Sequence, residues 1–377
     1  MKPLCLVPWT SIDISPRGSI TPCCKIQSKH EDKPNILNQS IAEYTTSDFL
    51  KNIKDKMTKG EWPIECIRCK TEEDNSIKSK RILDYERWKT DWDTYTEDRG
   101  YIVACIAFGN TCNLKCITCK SSSSSRWRKE YNDIYGIDIK PVETISADAN
   151  EIYNAMPNVI HFDIPGGEPL LSEISKQKTL LQKYVDSGQS KNITLHYTTN
   201  AQLFPSEDWW ELWQNFSEVD IQLSVDGVGR KYEYIRYPAR NELLEESIIK
   251  YKNQQRKTRN IKLSVSHTVS AYNIYYLNEF FDWCAAYGLP KPWCGAVHNP
   301  KHMRPTVFPN PIREQIANHL KTSRHEDVRI WGNFVDNNDS SEYYQEFLTR
   351  KDQHDLYRNL NFAETFSQVE ELINGFQ

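Results

Sequence analysis

The chain has 377 residues, with 47 Lys and Arg against 51 Asp and Glu, for a formal net charge of −4. A hydrophobic fraction of 38% and a charged fraction of 26% exclude a disordered chain, and the slight acidity argues against a protein built mainly to grip a nucleic-acid backbone. No apolar run approaches the roughly 18 residues a membrane helix needs, so no membrane span is expected.

Met1 to Trp9 holds one Lys and only a short apolar run, so no secretory signal is expected. The 11 cysteines are an odd number in a long chain for which no such signal is expected. They read as ligands rather than disulfides, and the expected compartment is a reducing cytoplasm. Residues 1–98 carry five of them, Cys5, Cys23, Cys24, Cys66 and Cys69, in irregular sequence. The alternation Ser11-Ile12-Asp13-Ile14-Ser15, the turn signal Pro16-Arg17-Gly18 and then Ser19-Ile20-Thr21 predict a β-hairpin. A stretch rich in Lys, Glu and Asp over 70–98 predicts a solvated helical connection.

From 99 to 300 the rhythm changes. Strands are predicted over 101–108, 158–164, 193–199, 219–225, 261–269 and 291–297. Helices are predicted near 122–134, 172–187, 206–216, 241–256 and 273–287. Strand–helix alternation implies parallel βα units, and composition allows either an open barrel or a doubly wound sheet. Either way, chemistry belongs at the C-terminal strand ends. Ser121 to Ser125 is a run of five serines directly after a cysteine loop and is not read as a linker. Residues 301–377 are polar, with helices expected near 311–321 and 341–375 and no legible motif.

After the first βα strand comes Cys112-Asn113-Leu114-Lys115-Cys116-Ile117-Thr118-Cys119. Structural zinc takes four N or S ligands, usually as paired C-x2-C units, so a C-x3-C-x2-C triplet suits zinc poorly. Three thiolates at this spacing can hold three corners of a [4Fe–4S] cube, which normally has four Cys ligands, and leave one iron open. After the second strand, Pro165-Gly166-Gly167-Glu168-Pro169 offers backbone freedom at two glycines and a carboxylate able to meet an ammonium group.

In this order the motifs resemble the radical S-adenosylmethionine (SAM) superfamily. The resemblance implies a partial (β/α)6 barrel, an α/β fold, over 99–300. It also implies a SAM-binding [4Fe–4S] cluster on Cys112, Cys116 and Cys119, and reductive cleavage of SAM to a 5′-deoxyadenosyl radical. It assigns Gly166, Gly167, Glu168 and Pro169 to the SAM amino group. Thr199, Asn200, Ser224 and Asp226, at the ends of the third and fourth strands, resemble SAM-contacting segments. Arg236 resembles an Arg that pairs with the SAM carboxylate, a role suited to a bidentate guanidinium; its other reading is a surface salt bridge. His267 and Asn273 are weaker candidates. Thr118 departs from the family, which usually has an aromatic or large apolar residue before the third cysteine.

The N-terminal cysteines, with Cys66-Ile67-Arg68-Cys69 and the opening Cys5-Leu6-Val7-Pro8-Trp9, resemble the twitch form of the SPASM auxiliary domain, here placed before the barrel. That implies a second [4Fe–4S] cluster on Cys5, Cys23, Cys66 and Cys69, with Cys24 as the alternative to Cys23 and a structural zinc site as the alternative to the cluster. Cys105, Cys284 and Cys294 read as buried free cysteines. Residues 301–377 are expected to form a helical extension. The expected substrate is a peptide or protein side chain. The alternatives are a sugar-like small molecule, or a non-catalytic iron–sulfur redox or SAM-sensing role. An electron donor such as flavodoxin or ferredoxin is implied. A nucleic-acid substrate is not expected: the basic-aromatic runs Arg126-Trp127-Arg128-Lys129 and Lys78–Lys89 are short and flanked by acids.

Overall fold

The computed structural model describes residues 4–27, 33–74, 78–141 and 148–376. Eight strands form one sheet: β1 Ser11–Ile14, β2 Ile20–Thr21, β3 Val103–Ile106, β4 His161–Ile164, β5 Thr194–Thr199, β6 Glu218–Ser224, β7 Ile261–Val269 and β8 Trp293–Ala296. Their order is β2-β1-β3-β4-β5-β6-β7-β8. From β3 to β8 the order is sequential. A doubly wound sheet reverses order at a switch point, so the succession here is that of a βα barrel. The pairs β1–β3, β3–β4, β4–β5 and β7–β8 are parallel, and the pair β1–β2 is antiparallel.

The predicted N-terminal hairpin forms, and it does more than close on itself. Ser11–Ile14 lies in register on Val103–Ile106 and so extends the parallel sheet. The predicted strands and helices of 99–300 all occur, most of them shortened; Ile261–Val269 keeps its predicted bounds and the helix Asn241–Lys257 runs one residue longer. The helix expected from 122 begins only at Trp127. The serine run before it makes tight turns, with Ser123 N–H and Ser124 N–H both donating to Lys120 O. Serine side chains compete with the helical backbone, which explains the delay. In the C-terminal stretch the helix Glu326–Asn337 was not foreseen, and the helical run beyond 341 breaks at Asn359, whose φ of 52° is left-handed.

Two compact units emerge. One holds residues 1–111, 142–198 and 205–220, and the other holds 112–141, 199–204 and 221–377. In the first, the helix Asp48–Thr58 starts at Ser47, whose side chain accepts from Leu50 N–H, and buries Leu50, Ile53 and Met57 at helical spacing. Ile53 and Met57 join Cys5, Val7, Ile26, Trp92 and Ile102 in one apolar cluster. In the second, the C-terminal helix Tyr344–Arg358 packs on Trp127–Tyr135, the helix that follows the cysteine triplet.

Candidate functional site

The second unit holds the triplet. Its loop is tied down along the backbone: Lys115 N–H donates to Tyr237 O and Ile117 N–H to Ile235 O, each at 2.7 Å. The carbonyls are taken as well. Ser124 Oγ donates to Leu114 O at 2.6 Å, Trp127 Nε1 to Cys116 O at 3.0 Å and Arg358 Nη2 to Lys115 O at 2.9 Å. Leu114 and Ile117 are buried. The loop is therefore shaped by main-chain and neighbouring side-chain bonds, and presents its three thiols on a fixed frame.

Burial pushes the Cys116 thiol up to about 12 and Cys119 to about 11, with the Arg236 charge opposing both shifts. Thiols in that range stay protonated at neutral pH unless a cation binds, which is the behaviour of a metal-thiolate site before loading. Cys112 Sγ accepts from Leu114 N–H at 3.4 Å. Asn200 Nδ2 lies 3.9 Å from the same sulfur and donates to Asn113 Oδ1 at 2.7 Å. Among the described residues, no three His, Cys, Asp or Glu side chains converge as a single ion would require; a cubane differs in giving each thiolate its own iron. The donor set fits such a cluster.

Arg236 is buried and its Nε meets Asp226 Oδ2 at 2.8 Å. The ion pair is thus internal, not on the surface. Asp226 Oδ1 accepts from Thr268 N–H at 2.8 Å, and Asn273 Nδ2 donates to Asp226 O at 3.0 Å. Asn273 also bonds Thr268 O and Ser270 N–H, so it braces the ends of β6 and β7. His267 donates from Nδ1 to Val225 O at 2.8 Å and stacks on Phe280. Its Nε2 is buried with no hydrogen-bond partner among the described residues, and burial lowers its pKa, so the ring is neutral. Ser224 Oγ lies 3.3 Å from Ser266 Oγ, and Thr199 Oγ1 accepts from Ala201 N–H.

The first unit holds the other two groups. In Gly166-Gly167-Glu168-Pro169, Glu168 N–H donates to Thr111 O at 2.8 Å and its Oε1 accepts from Leu170 N–H at 3.2 Å. Pro169 O accepts from Gln177 Nε2. The second glycine has a nearer reason than ligand approach: a Cβ at Gly167 would stand 2.4 Å from Thr111 O and 2.5 Å from Asn110 O. Both obstacles are backbone, so Gly167→Ala should move the segment that leads into Cys112. We expect a loss of about 1–3 kcal/mol, read as a lower unfolding temperature of the purified protein.

Four N-terminal cysteines, Cys5, Cys23, Cys66 and Cys69, line one pocket together with Lys80 and Arg81, and Cys24 is exposed outside it. Ser79 caps the helix Lys80–Asp93. Arg81, in its first turn, reaches Leu4 O at 3.0 Å and Glu73 Oε1 at 2.9 Å, so one guanidinium fixes the chain beside Cys5 and the helix that carries Cys69. Burial pushes Cys5 and Cys66 up to about 12 each. Lys80 is paired with Asp84 and Arg81 with Glu73, so it is the four thiols of the pocket that suit an iron–sulfur cluster.

Sequence reading missed one feature. Register places Asp13 beside Cys105, Cys105 beside Asp163, and Asp163 beside His196. His196 Nδ1 bonds Asp220 Oδ2 at 2.8 Å, and His161 Nε2 bonds Asp163 Oδ1 at 3.0 Å. This row of half-buried polar groups crosses five strands. Cys105 belongs to it and is not a core cysteine; Cys294 is likewise only half-buried, while Cys284 is buried. Burial raises Asp13 to about 6. The signal was present as alternation, since Asp13, Asp163, His196 and Asp220 each sit between apolar neighbours.

A family model for SPASM, an iron–sulfur cluster-binding domain, matches residues 5–70. No curated protein matches the chain. Among solved structures, the chain is similar to anSMEcpe with bound AdoMet, at 15% identity and a TM-score of 0.43, over 58% of this chain and 57% of that one. It is similar to Streptococcus suis SuiB bound to S-adenosylmethionine, at 14% identity and 0.40, over 81% and 60%. It is also similar to TsrM from Kitasatospora setae, a radical S-adenosylmethionine methyltransferase with cobalamin and a [4Fe–4S] cluster bound, at 12% and 0.37, over 52% and 36%. The matches to anSMEcpe and SuiB span about three fifths of the length of those proteins.

Proposed function

We infer that this chain, whose residues 5–70 belong to the SPASM iron–sulfur cluster-binding family, is a radical SAM protein with an auxiliary iron–sulfur domain, and we propose that it is an enzyme abstracting hydrogen from a peptide or protein side chain. The observation that carries the reading is the rigidly held Cys112–Cys119 loop, with its three thiols, after the first strand of a sequential parallel sheet.

When bound, the [4Fe–4S] cluster and SAM supply reductive cleavage to a 5′-deoxyadenosyl radical. In this reading Cys112, Cys116 and Cys119 hold that cluster, and Cys5, Cys23, Cys66 and Cys69 hold the auxiliary one. Residues 1–98 are the auxiliary domain, 99–300 the barrel and 301–377 the helical extension. Arg236 forms an ion pair with Asp226 through its Nε, and in this reading the rest of its fork meets the SAM carboxylate. Glu168, one oxygen of which accepts from Leu170 N–H, is in this reading the carboxylate that meets the SAM ammonium group. Thr199, Asn200 and Ser224 bring polar groups to the ends of their strands.

The polar row from Asp13 to Asp220 supports a substrate rich in hydrogen-bonding groups, as a peptide is. A sugar-like molecule meets the same demand and is the second reading. The test is 5′-deoxyadenosine output from anaerobically reconstituted protein, with and without peptides encoded beside its gene. We expect output to rise with one of them. A flat response across the peptides, with a rise on amino sugars, would move the substrate to the second class. No output with any reductant would leave an iron–sulfur protein without this chemistry.

A further inference from the structure

The sheet ends differently on its two sides. Beside β2 the chain covers its own edge: Ile20 N–H donates to Pro34 O at 2.7 Å, and Ser19 forms an antiparallel bridge with Asn35. At the other end β8 is the last strand, and among the described residues no strand pairs with its outer edge.

One bond sets the phase of that edge. Val297 N–H donates to Val269 O at 2.9 Å, and successive residues of a strand turn their backbone groups to opposite edges. Trp293, Gly295 and Val297 therefore bond toward β7, while Cys294 and Ala296 turn N–H and C=O outward. Among the described residues no backbone bond reaches those outward groups. Such groups are obligatory hydrogen-bonders, and natural sheets guard an open edge with a charge, a proline or a bulge. The strand Trp293-Cys294-Gly295-Ala296 holds neither charge nor proline. Lys291 and Pro292 stand before it, and Lys291 is drawn to Asp327 at 2.7 Å.

The strand's face is open as well. None of its four residues is buried, and Trp293 is 67% exposed. The indole lies beside Gly295, where a Cβ would stand 2.7 Å from the ring, so glycine lets it lie along the strand. Register sets Trp293 beside Ser266 and Gly295 beside Thr268. Ser266 Oγ is 3.3 Å from Ser224 Oγ, and Thr268 N–H donates to Asp226 Oδ1 at 2.8 Å. The aromatic wall thus continues into the strand-end residues assigned above to SAM.

We propose that β8 takes an extended segment of the substrate peptide as an added strand, with its backbone on Cys294 and Ala296 and every second side chain on the Trp293 face. The inference rests on the peptide reading above and adds to it the surface that holds the substrate. Unpaired N–H and C=O groups at strand spacing select an extended backbone, and the shared face carries alternate side chains toward Ser224 and Asp226.

The probes are the peptides encoded beside the gene, carrying a fluorescent label, and the first readout is their affinity by polarisation. Ala296→Pro removes the outward donor and leaves the bonds to β7, since proline is tolerated on an edge strand where its nitrogen faces out. We expect this variant to bind the tightest peptide about tenfold or more weakly. N-methylation along that peptide should weaken binding at every second residue. On the wild type, peptide should protect the amides of Cys294 and Ala296 from hydrogen exchange and leave that of Gly295 unchanged. Sensitivity to N-methylation without a period of two, or no protection at Cys294 and Ala296, overturns the proposal even where the proline variant fails to fold. So does the absence of binding by every peptide. A wild type that sediments as a dimer beside a monomeric Ala296→Pro variant would assign the edge to a second copy of the chain and overturn it too. None of these readouts needs SAM cleavage. A protein that docks peptide in this way but forms no 5′-deoxyadenosine keeps the added strand and loses the radical SAM reading.

Discussion

Replacing Cys112, Cys116 and Cys119 together by alanine should remove about four of roughly eight irons from reconstituted protein, each cubane contributing four, and abolish SAM cleavage. The expectation follows from the architecture of the loop. Its shape comes from bonds to Tyr237, Ile235, Ser124, Trp127 and Arg358, not from its sulfurs. The variant should therefore fold and lose one cluster cleanly. The residual iron then reports on Cys5, Cys23, Cys66 and Cys69, which lie in the other compact unit. Four irons and four sulfides remaining would assign that pocket to a second cluster. One zinc and no iron would assign it to a structural ion. Adding Cys24→Ala to the variant should leave the residual metal unchanged, because Cys24 lies outside the pocket. Adding Cys23→Ala should deplete it.

A second large effect should follow from Glu130→Gln. Glu130 is fully buried, and its carboxylate bonds His354 Nδ1 at 3.0 Å and Arg358 Nε at 2.8 Å, with Lys115 Nζ at 2.7 Å. Arg358 in turn lies over the rings of Trp127 and Tyr237. One carboxylate thus ties the cysteine loop, the helix behind it and the C-terminal helix Tyr344–Arg358. Removing its charge leaves Arg358 and Lys115 uncompensated, a change that costs about 3–5 kcal/mol in buried ion pairs. We expect a lowered calorimetric transition and faster loss of iron from the triplet, since Lys115 belongs to that loop. Burial works against the Glu130 charge, but the His354 hydrogen bond and the cations outweigh it and hold the carboxyl down to about 2. A carboxyl depressed in the folded state stabilises it fully above its unfolded value of about 4.5, and that stability is lost as pH falls toward 2. The wild type should lose stability over this window, and Glu130→Gln should lose correspondingly less. Equal acid profiles for the two would place the sensitivity elsewhere.

The local code of this chain was legible because its elements are locally consistent. Ile12 and Ile14, Phe162 and Ile164, and Leu195 and Tyr197 alternate with polar residues and point into one core. Period two therefore announced each strand, whereas the capped helix starts at Ser47 and Ser79 are local signals that the sequence reading passed over. The cysteine spacings and the Gly-Gly-Glu-Pro turn carry the resemblance on which the proposed chemistry rests. Spacing is itself the chemical requirement there, since three thiolates within eight residues can meet three irons whatever surrounds them.

Other features depended on residues far apart in sequence. That β1 pairs with β3, 92 residues on from Ser11 at Val103, and so joins the N-terminal hairpin to the parallel sheet, is a matter of register between strands that no local pattern encodes. Alternation marks Asp13, Cys105, Asp163, His196 and Asp220 each as the polar residue of its own strand, but only the register between strands sets them in one row. Gly167 is required by the backbone at Asn110 and Thr111 rather than by a ligand. Arg236 is paired inside the fold with Asp226, and Glu130 binds partners 224 and 228 residues away. The sequence by itself determined which segments are strands and helices, and it suggested which cysteines would ligate iron, because both readings rest on short-range spacing. Only the tertiary structure decided which charges are buried together and which cysteines share a pocket, because burial and pairing are properties of packed surfaces.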